Sequence, residues 1–314
     1  MAEKSSFIIG KGWVHSRDLF YVYGVTRQSN IDDAFESVVL RYSNGNWGLW
    51  QVATRLCAIC TGEVNGERVV VTVGIDGLTE ISDEHGTRVL EIDSARGGPD
   101  HLKHITFARR IGDRVYAVGM SRMVYYLELG SSTWLRMDEG TRVGSASTEI
   151  AGFKAIDGDG RGRYVACGLF GELWLYENGS WLRLASPTNA KLETVRWVAD
   201  NRFVAAGGGG IVISGTPDAL DVRVHPDAKH TFWASEWFGD CLYLATRNGT
   251  IWTLDADSLK PVDISGGKSV TTGWLHANDG VMLSVGEHDL LLYDGVSWTA
   301  VEQPSLDSDW PLRW

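Results

Sequence analysis

Cysteine is scarce in this sequence. Four in 314 residues do not make a disulfide framework. Basic residues are outnumbered: Lys and Arg total 29 against 40 Asp and Glu, a formal net charge of −11. A surface of that sign is a poor general binder of nucleic acid, because phosphate must be neutralised by cations. It suits a basic protein partner instead. Long hydrophobic runs are missing. No stretch approaches the about 18 consecutive apolar residues of a membrane span. The early run Phe7-Ile8-Ile9 is too short for the core of a secretory signal, and no lipidation motif is visible. The expectation is a soluble cytoplasmic protein with reduced thiols. Helical periodicity over a helical length is absent as well, which excludes a helical bundle.

What is present is a repeat. Glycine (37) and tryptophan (14) are abundant, and 44% of the chain is hydrophobic, enough for a large core. A polar turn, an apolar or small run usually ending in Gly, a second apolar run and a turn before Trp recur along the chain. The first runs are Leu19–Gly24, Val69–Gly74, Val115–Gly119, Tyr164–Gly168, Phe203–Gly207, Leu242–Thr246 and Val281–Gly286. Their final residues are spaced by 50, 45, 49, 39, 39 and 40 positions. Turns carrying Asn, Asp or Gly precede them, such as Asn65-Gly66, Gly239-Asp240 and Asp279-Gly280. Third strands follow at Val38–Tyr42, Glu172–Tyr176 and Leu290–Tyr293, and fourth strands at Trp47–Val52, Trp181–Leu184 and Val262–Ile264, among others.

Each copy therefore reads as four short strands. Seven copies predict an all-β chain, a seven-bladed β-propeller with four antiparallel strands per blade. A pair of β-sandwiches would not explain recurrence along the whole chain. One propeller domain is expected over 1–302. The tail 303–314, with Trp310 and Trp314, is expected to dock on the ring or to bind a partner.

The repeat resembles the broad WD40/YVTN/BNR-like propeller superfamily over about residues 6–302. The Gly-His and Trp-Asp pairs of true WD40 blades are absent. The turns Asn44-Gly45-Asn46-Trp47, Asn178-Gly179-Ser180-Trp181 and Asp294-Gly295-Val296-Ser297-Trp298 resemble degenerate aspartate-box or kelch-type turns. The resemblance implies that the Trp of each packs between blades. It also implies a binding face built from the loops between blades and those between second and third strands. In this chain those include Thr26–Glu36, Asp93–His101, Asp138–Ser147 and Pro226–His230.

Motifs that could carry chemistry are weak. Cys57 and Cys60 form a CxxC, but three positions apart on a strand they face opposite ways. Asp157–Gly162 has Arg161 where a calcium loop needs an oxygen ligand. Gly207–Gly210 runs into a strand, with no helix N-terminus or Lys for a phosphate. A histidine metal site would need residues converging from several blades, which sequence does not show, so the histidines are read as surface-loop residues. Arg55, Arg109 and Arg196 form no recognisable catalytic set, and no GxSxG, HExxH or Walker loop occurs. No catalytic residue, metal ligand or cofactor is assigned.

The residues expected at a protein-binding surface are Arg27, Asp32, Asp33, Glu36, His101, Phe170, His230, Phe232, Trp233, Trp237, Arg247 and His288. Phe232, Trp233 and Trp237 are more aromatics than one inner strand usually holds, and such side chains dominate binding hot spots. The reading is a non-enzymatic protein-binding propeller, monomeric on its own, an inhibitor or immunity-type protein. It would cap a toxin or enzyme, basic in charge, with an acidic loop face. The alternatives are a propeller hydrolase or lyase acting on a glycan or lactone, and a scaffold or assembly factor.

Overall fold

The first run of each repeat is apolar or small at nearly every position, so it has no face to give to water. A computed structural model of the chain describes residues 7–26, 37–93, 98–99, 103–199, 201–224, 230–255, 258–264, 266 and 269–304. In it those runs are second strands, such as Tyr164–Gly168 and Cys241–Thr246, buried along almost their whole length. Each sits between a first and a third strand, and the fourth strand is the most exposed. The seven four-stranded antiparallel sheets span residues 7–52, 56–91, 105–136, 153–183, 192–224, 232–262 and 274–301. They are blades 1 to 7 of the seven-bladed β-propeller that the repeat predicts.

Turn chemistry sets the hairpins. Asn44-Gly45 and Asn178-Gly179 close two-residue turns with both φ angles positive, 50° and 82° in one, 52° and 82° in the other. Those angles match the twist of paired strands, and Asn and Gly adopt them most readily. The sequence Asp157–Gly162 does end in a hairpin turn. Its Asp159 carboxylate accepts the N–H groups of Arg161 at 2.7 Å and Arg163 at 3.1 Å. The fourth strand of blade 6 corrects the reading of 262–264: it is Ser258–Val262, paired through Leu254 with Leu259 and Ile251 with Val262.

The chain divides into two compact units, Met1–Ile59 with Glu236–Trp314, and Cys60–Ser235. In the first, blades 1 and 7 share a core of Ile9, Val14, Phe20, Val22, Leu40, Val281, Leu283 and Val285. The indole of Trp274 donates to Gly12 O at 2.8 Å, and that of Trp47 to Glu302 O at 3.2 Å. In the second, Trp134 donates to Thr79 Oγ1 at 3.2 Å and Trp181 to Met137 O at 2.5 Å. These four tryptophans thus join neighbouring blades, as expected for Trp47 and Trp181. Each ring fills the gap and each N–H finds a carbonyl or hydroxyl there. Among the described residues no helix is long and apolar enough to cross a membrane. The tail tryptophans Trp310 and Trp314 lie outside the described residues.

Candidate protein-binding site

The unit Cys60–Ser235 repeats one junction in blades 3, 4 and 5. After the Gly that ends the second strand, the next residue donates its N–H to the carbonyl just ahead of, or at the start of, the same blade's first strand. Met120 N bonds His104 O at 3.1 Å, Leu169 N bonds Gly152 O at 3.1 Å, and Gly208 N bonds Lys191 O at 2.9 Å. The same carbonyls lie 2.6, 2.0 and 2.1 Å from where a Cβ on Gly119, Gly168 or Gly207 would sit. No side chain fits there, which is why these runs end in Gly.

The turn that follows holds its second residue in the left-handed region: Ser121 at φ 57°, Phe170 at 54° and Gly209 at 67°. Blade 4 puts a Phe where blade 5 has a Gly. Gly168 N to Glu172 O and Glu172 N to Leu169 O, both at 3.0 Å, fix that turn. Phe170 is 61% exposed.

The turns also carry an ion cluster in which Arg122 and Glu172 are buried and Glu149 is half exposed. Arg122 donates Nε to Glu172 Oε1 at 2.9 Å, and its Nη2 reaches both Glu172 and Glu149. Its guanidinium lies 5.4 Å from the Trp174 ring centroid. Burial works against the Arg122 charge, but the two carboxylates outweigh it and hold its pKa above the ordinary value. Asp138 is buried and orders the next connection: it accepts Val124 N at 3.0 Å and Arg142 Nε at 2.7 Å. Val143 N then bonds Ser121 O at 2.9 Å. Residues 144–150 beyond it are exposed.

Of the residues expected at a binding surface, Arg27, Asp32, Asp33, Glu36 and His101 lie outside the described residues. Phe170 is the exposed turn residue just described. His230 is exposed, and its carbonyl accepts Gly210 N at 3.0 Å. Phe232 needs correction: it is fully buried. Phe232 and Trp233 are adjacent on the strand Phe232–Phe238 and face opposite ways, so they cannot share a patch. Trp233 is half-buried, with Lys191 Nζ 5.6 Å from its ring. In the other unit, Trp237 is 42% exposed and its backbone N–H donates to Glu236 Oε1 at 3.1 Å. Arg247 and His288 are exposed turn residues, and His288 N bonds Thr271 Oγ1 at 3.0 Å. The sequence reading did not single out Arg122, Glu172, Glu149 or Ile150. Aligning the repeats on the strand-ending Gly would have placed Ser121, Phe170 and Gly209 in register.

These features define a β-propeller with the WD40-like resemblance borne out at the level of the fold. No protein-family profile matches the sequence. Over 300 residues the chain is 27% identical to the "Immune protein Tsi7" of Pseudomonas aeruginosa, covering 93% of this chain and 96% of that protein. Among solved structures, the WD40 β-propeller domain of Doa1 matches with a TM-score of 0.68 at 10% identity, over 92% of this chain and 93% of that one. YCF48 from Cyanidioschyzon merolae matches with a TM-score of 0.67 at 14% identity, over 92% and 96%. At such identities the structural matches carry the fold and no function.

Proposed function

We propose that this chain is an immunity-type protein, a non-enzymatic propeller that binds and caps a toxin or enzyme. The observation that carries the reading is the end-to-end similarity to the immune protein, 93% of this chain against 96% of that one. A rigid scaffold with varied loops fits protein binding. The partner is basic and the chain meets it as a monomer. The net charge of −11 supports this by steering a cationic partner to the surface. The acidic residues Asp32, Asp33 and Glu36 contribute to that attraction, in the cytoplasm.

The test is affinity purification of the tagged chain from its native cells. The expected result is one basic partner at one-to-one stoichiometry that survives high-salt washing. Expressed alone, that partner should arrest growth or show an enzymatic activity, which one equivalent of this chain abolishes. Reversing charge at Asp32 and Asp33 should slow association. If no stoichiometric partner is recovered, or if the recovered partner keeps its activity in the complex, the reading is wrong.

A further inference from the structure

We propose that Phe170, with Ile150 on the neighbouring connection, is the apolar anchor by which this chain holds its protein partner. The partner surface it fits is an apolar pocket bordered by Lys or Arg. This rests on the binding role proposed above and says where on the chain that role resides.

Phe170 occupies a backbone conformation that bulky residues avoid. At φ 54° its Cβ is crowded by the following carbonyl, a strain that glycine escapes. Blade 5 solves the identical turn with Gly209. The turn cannot relax in blade 4, because the three backbone bonds at Leu169, Gly168 and Glu172 hold it. The strain is not offset by burial either, since the residue is 61% exposed. A large ring that is both strained and exposed contributes nothing evident to folding. Such outliers collect at binding sites, where the surrounding structure holds them ready.

Ile150 lies two residues before Gly152, which is bonded to this turn. It precedes Ala151, whose carbonyl accepts Ser121 N at 2.8 Å, and Gly152, whose carbonyl accepts Leu169 N. It is 59% exposed. Phe170 is thus presented on backbone fixed by hydrogen bonds, and Ile150 directly precedes a segment so fixed, which lowers the ordering cost of binding.

The electrostatics select the partner. Arg122 carries one positive charge against the two carboxylates of Glu149 and Glu172, so the cluster is net negative. Glu149 is half exposed and immediately precedes Ile150. An apolar centre beside the half-exposed Glu149, on a chain of net charge −11, complements a pocket with a basic rim.

The experiment uses the full chain and the partner recovered in the affinity purification, expressed and purified on its own. Binding is measured by calorimetry and stability by thermal melting, for wild type, Phe170→Gly, Ile150→Ser and the control Leu182→Ser. Leu182 lies on the outer strand Ser180–Arg183 of blade 4 and is 63% exposed. Phe170→Gly should weaken binding at least tenfold while the melting temperature holds or rises, because glycine relieves the turn. Ile150→Ser should weaken it less, and Leu182→Ser should bind as wild type. If wild type binds tightly and Phe170→Gly binds equally well, this assignment is wrong and the immunity reading stands. A melting temperature lowered by Phe170→Gly would make the ring a packing residue and overturn the proposal. So would equal weakening by Leu182→Ser. If wild type binds no purified partner, the immunity reading and this assignment fall together.

Discussion

Trp134 and Thr79, 55 residues apart, meet through one hydrogen bond between blades 3 and 2. The indole Nε1 lies 3.2 Å from Thr79 Oγ1, and Thr79 in turn donates to Gly77 O at 3.2 Å. Both side chains are buried. Thr79→Val keeps the volume but strands the indole N–H, while the Gly77 carbonyl keeps the bond from Ile92 N at 3.0 Å. A buried polar group left without its partner costs roughly 1–3 kcal/mol. Urea denaturation should show a loss of that size. Trp134→Phe in the Thr79→Val background should cost less than Trp134→Phe alone, because the N–H is then already orphaned.

Gly168→Ala places a Cβ 2.0 Å from the Gly152 carbonyl oxygen, which is backbone and cannot swing aside. Overpacking of this kind costs about 1–3 kcal/mol. Gly207→Ala, at 2.1 Å from Lys191 O, should behave alike. Gly144→Ala meets nothing within 4 Å and has no left-handed φ to lose, so it should leave the melting temperature unchanged. Equal stability of all three variants would mean that the junction does not hold the blades as described.

The blades were readable because second strands such as Phe203–Gly207 and Tyr164–Gly168 are buried on both faces and end in a Gly with a steric reason. The Asn-Gly turns were readable because few other residues accept their angles. The blade 6 fourth strand was not, since no Trp follows its turn and Leu254 to Leu259 pairing sets its register instead. The site was less readable still. Phe232 and Phe170 are both phenylalanines in the sequence, yet one is buried in a sheet and the other strained in a turn. Only backbone dihedrals and burial separate them. Arg122 and Glu172 are 50 positions apart, and nothing local to either announces the other.

The thiols should be inert in the folded protein. Cys57, Cys60 and Cys167 are buried and Cys241 is half-buried. Burial pushes the Cys60 thiol up to about 12, with Arg110 and Arg109 only partly opposing it. Burial raises Cys167 as well. The thiolate is the nucleophile, so an aromatic disulfide reagent at mildly alkaline pH should label Cys241 at most, and all four cysteines after unfolding. Fast labelling of Cys60 in the native protein would contradict its burial.

The Arg122–Glu172 pair gives an ordered set of stabilities. Their side chains are only 9% and 4% exposed, so solvent screens the pair little. Removing one partner of a buried pair costs about 3–5 kcal/mol, chiefly because the other charge stays buried alone. The two removals are not equivalent here. Glu172→Leu leaves Arg122 with Glu149, which still offers a carboxylate, so its cost should fall at the low end of that range. Arg122→Met leaves Glu172 buried with Glu149 nearby and no cation between them, so it should cost more. The double variant Arg122→Met/Glu172→Leu removes both charges and should be more stable than Arg122→Met alone. Urea denaturation of the three variants tests the order. If Arg122→Met proves the mildest, the guanidinium is not what holds the two carboxylates together.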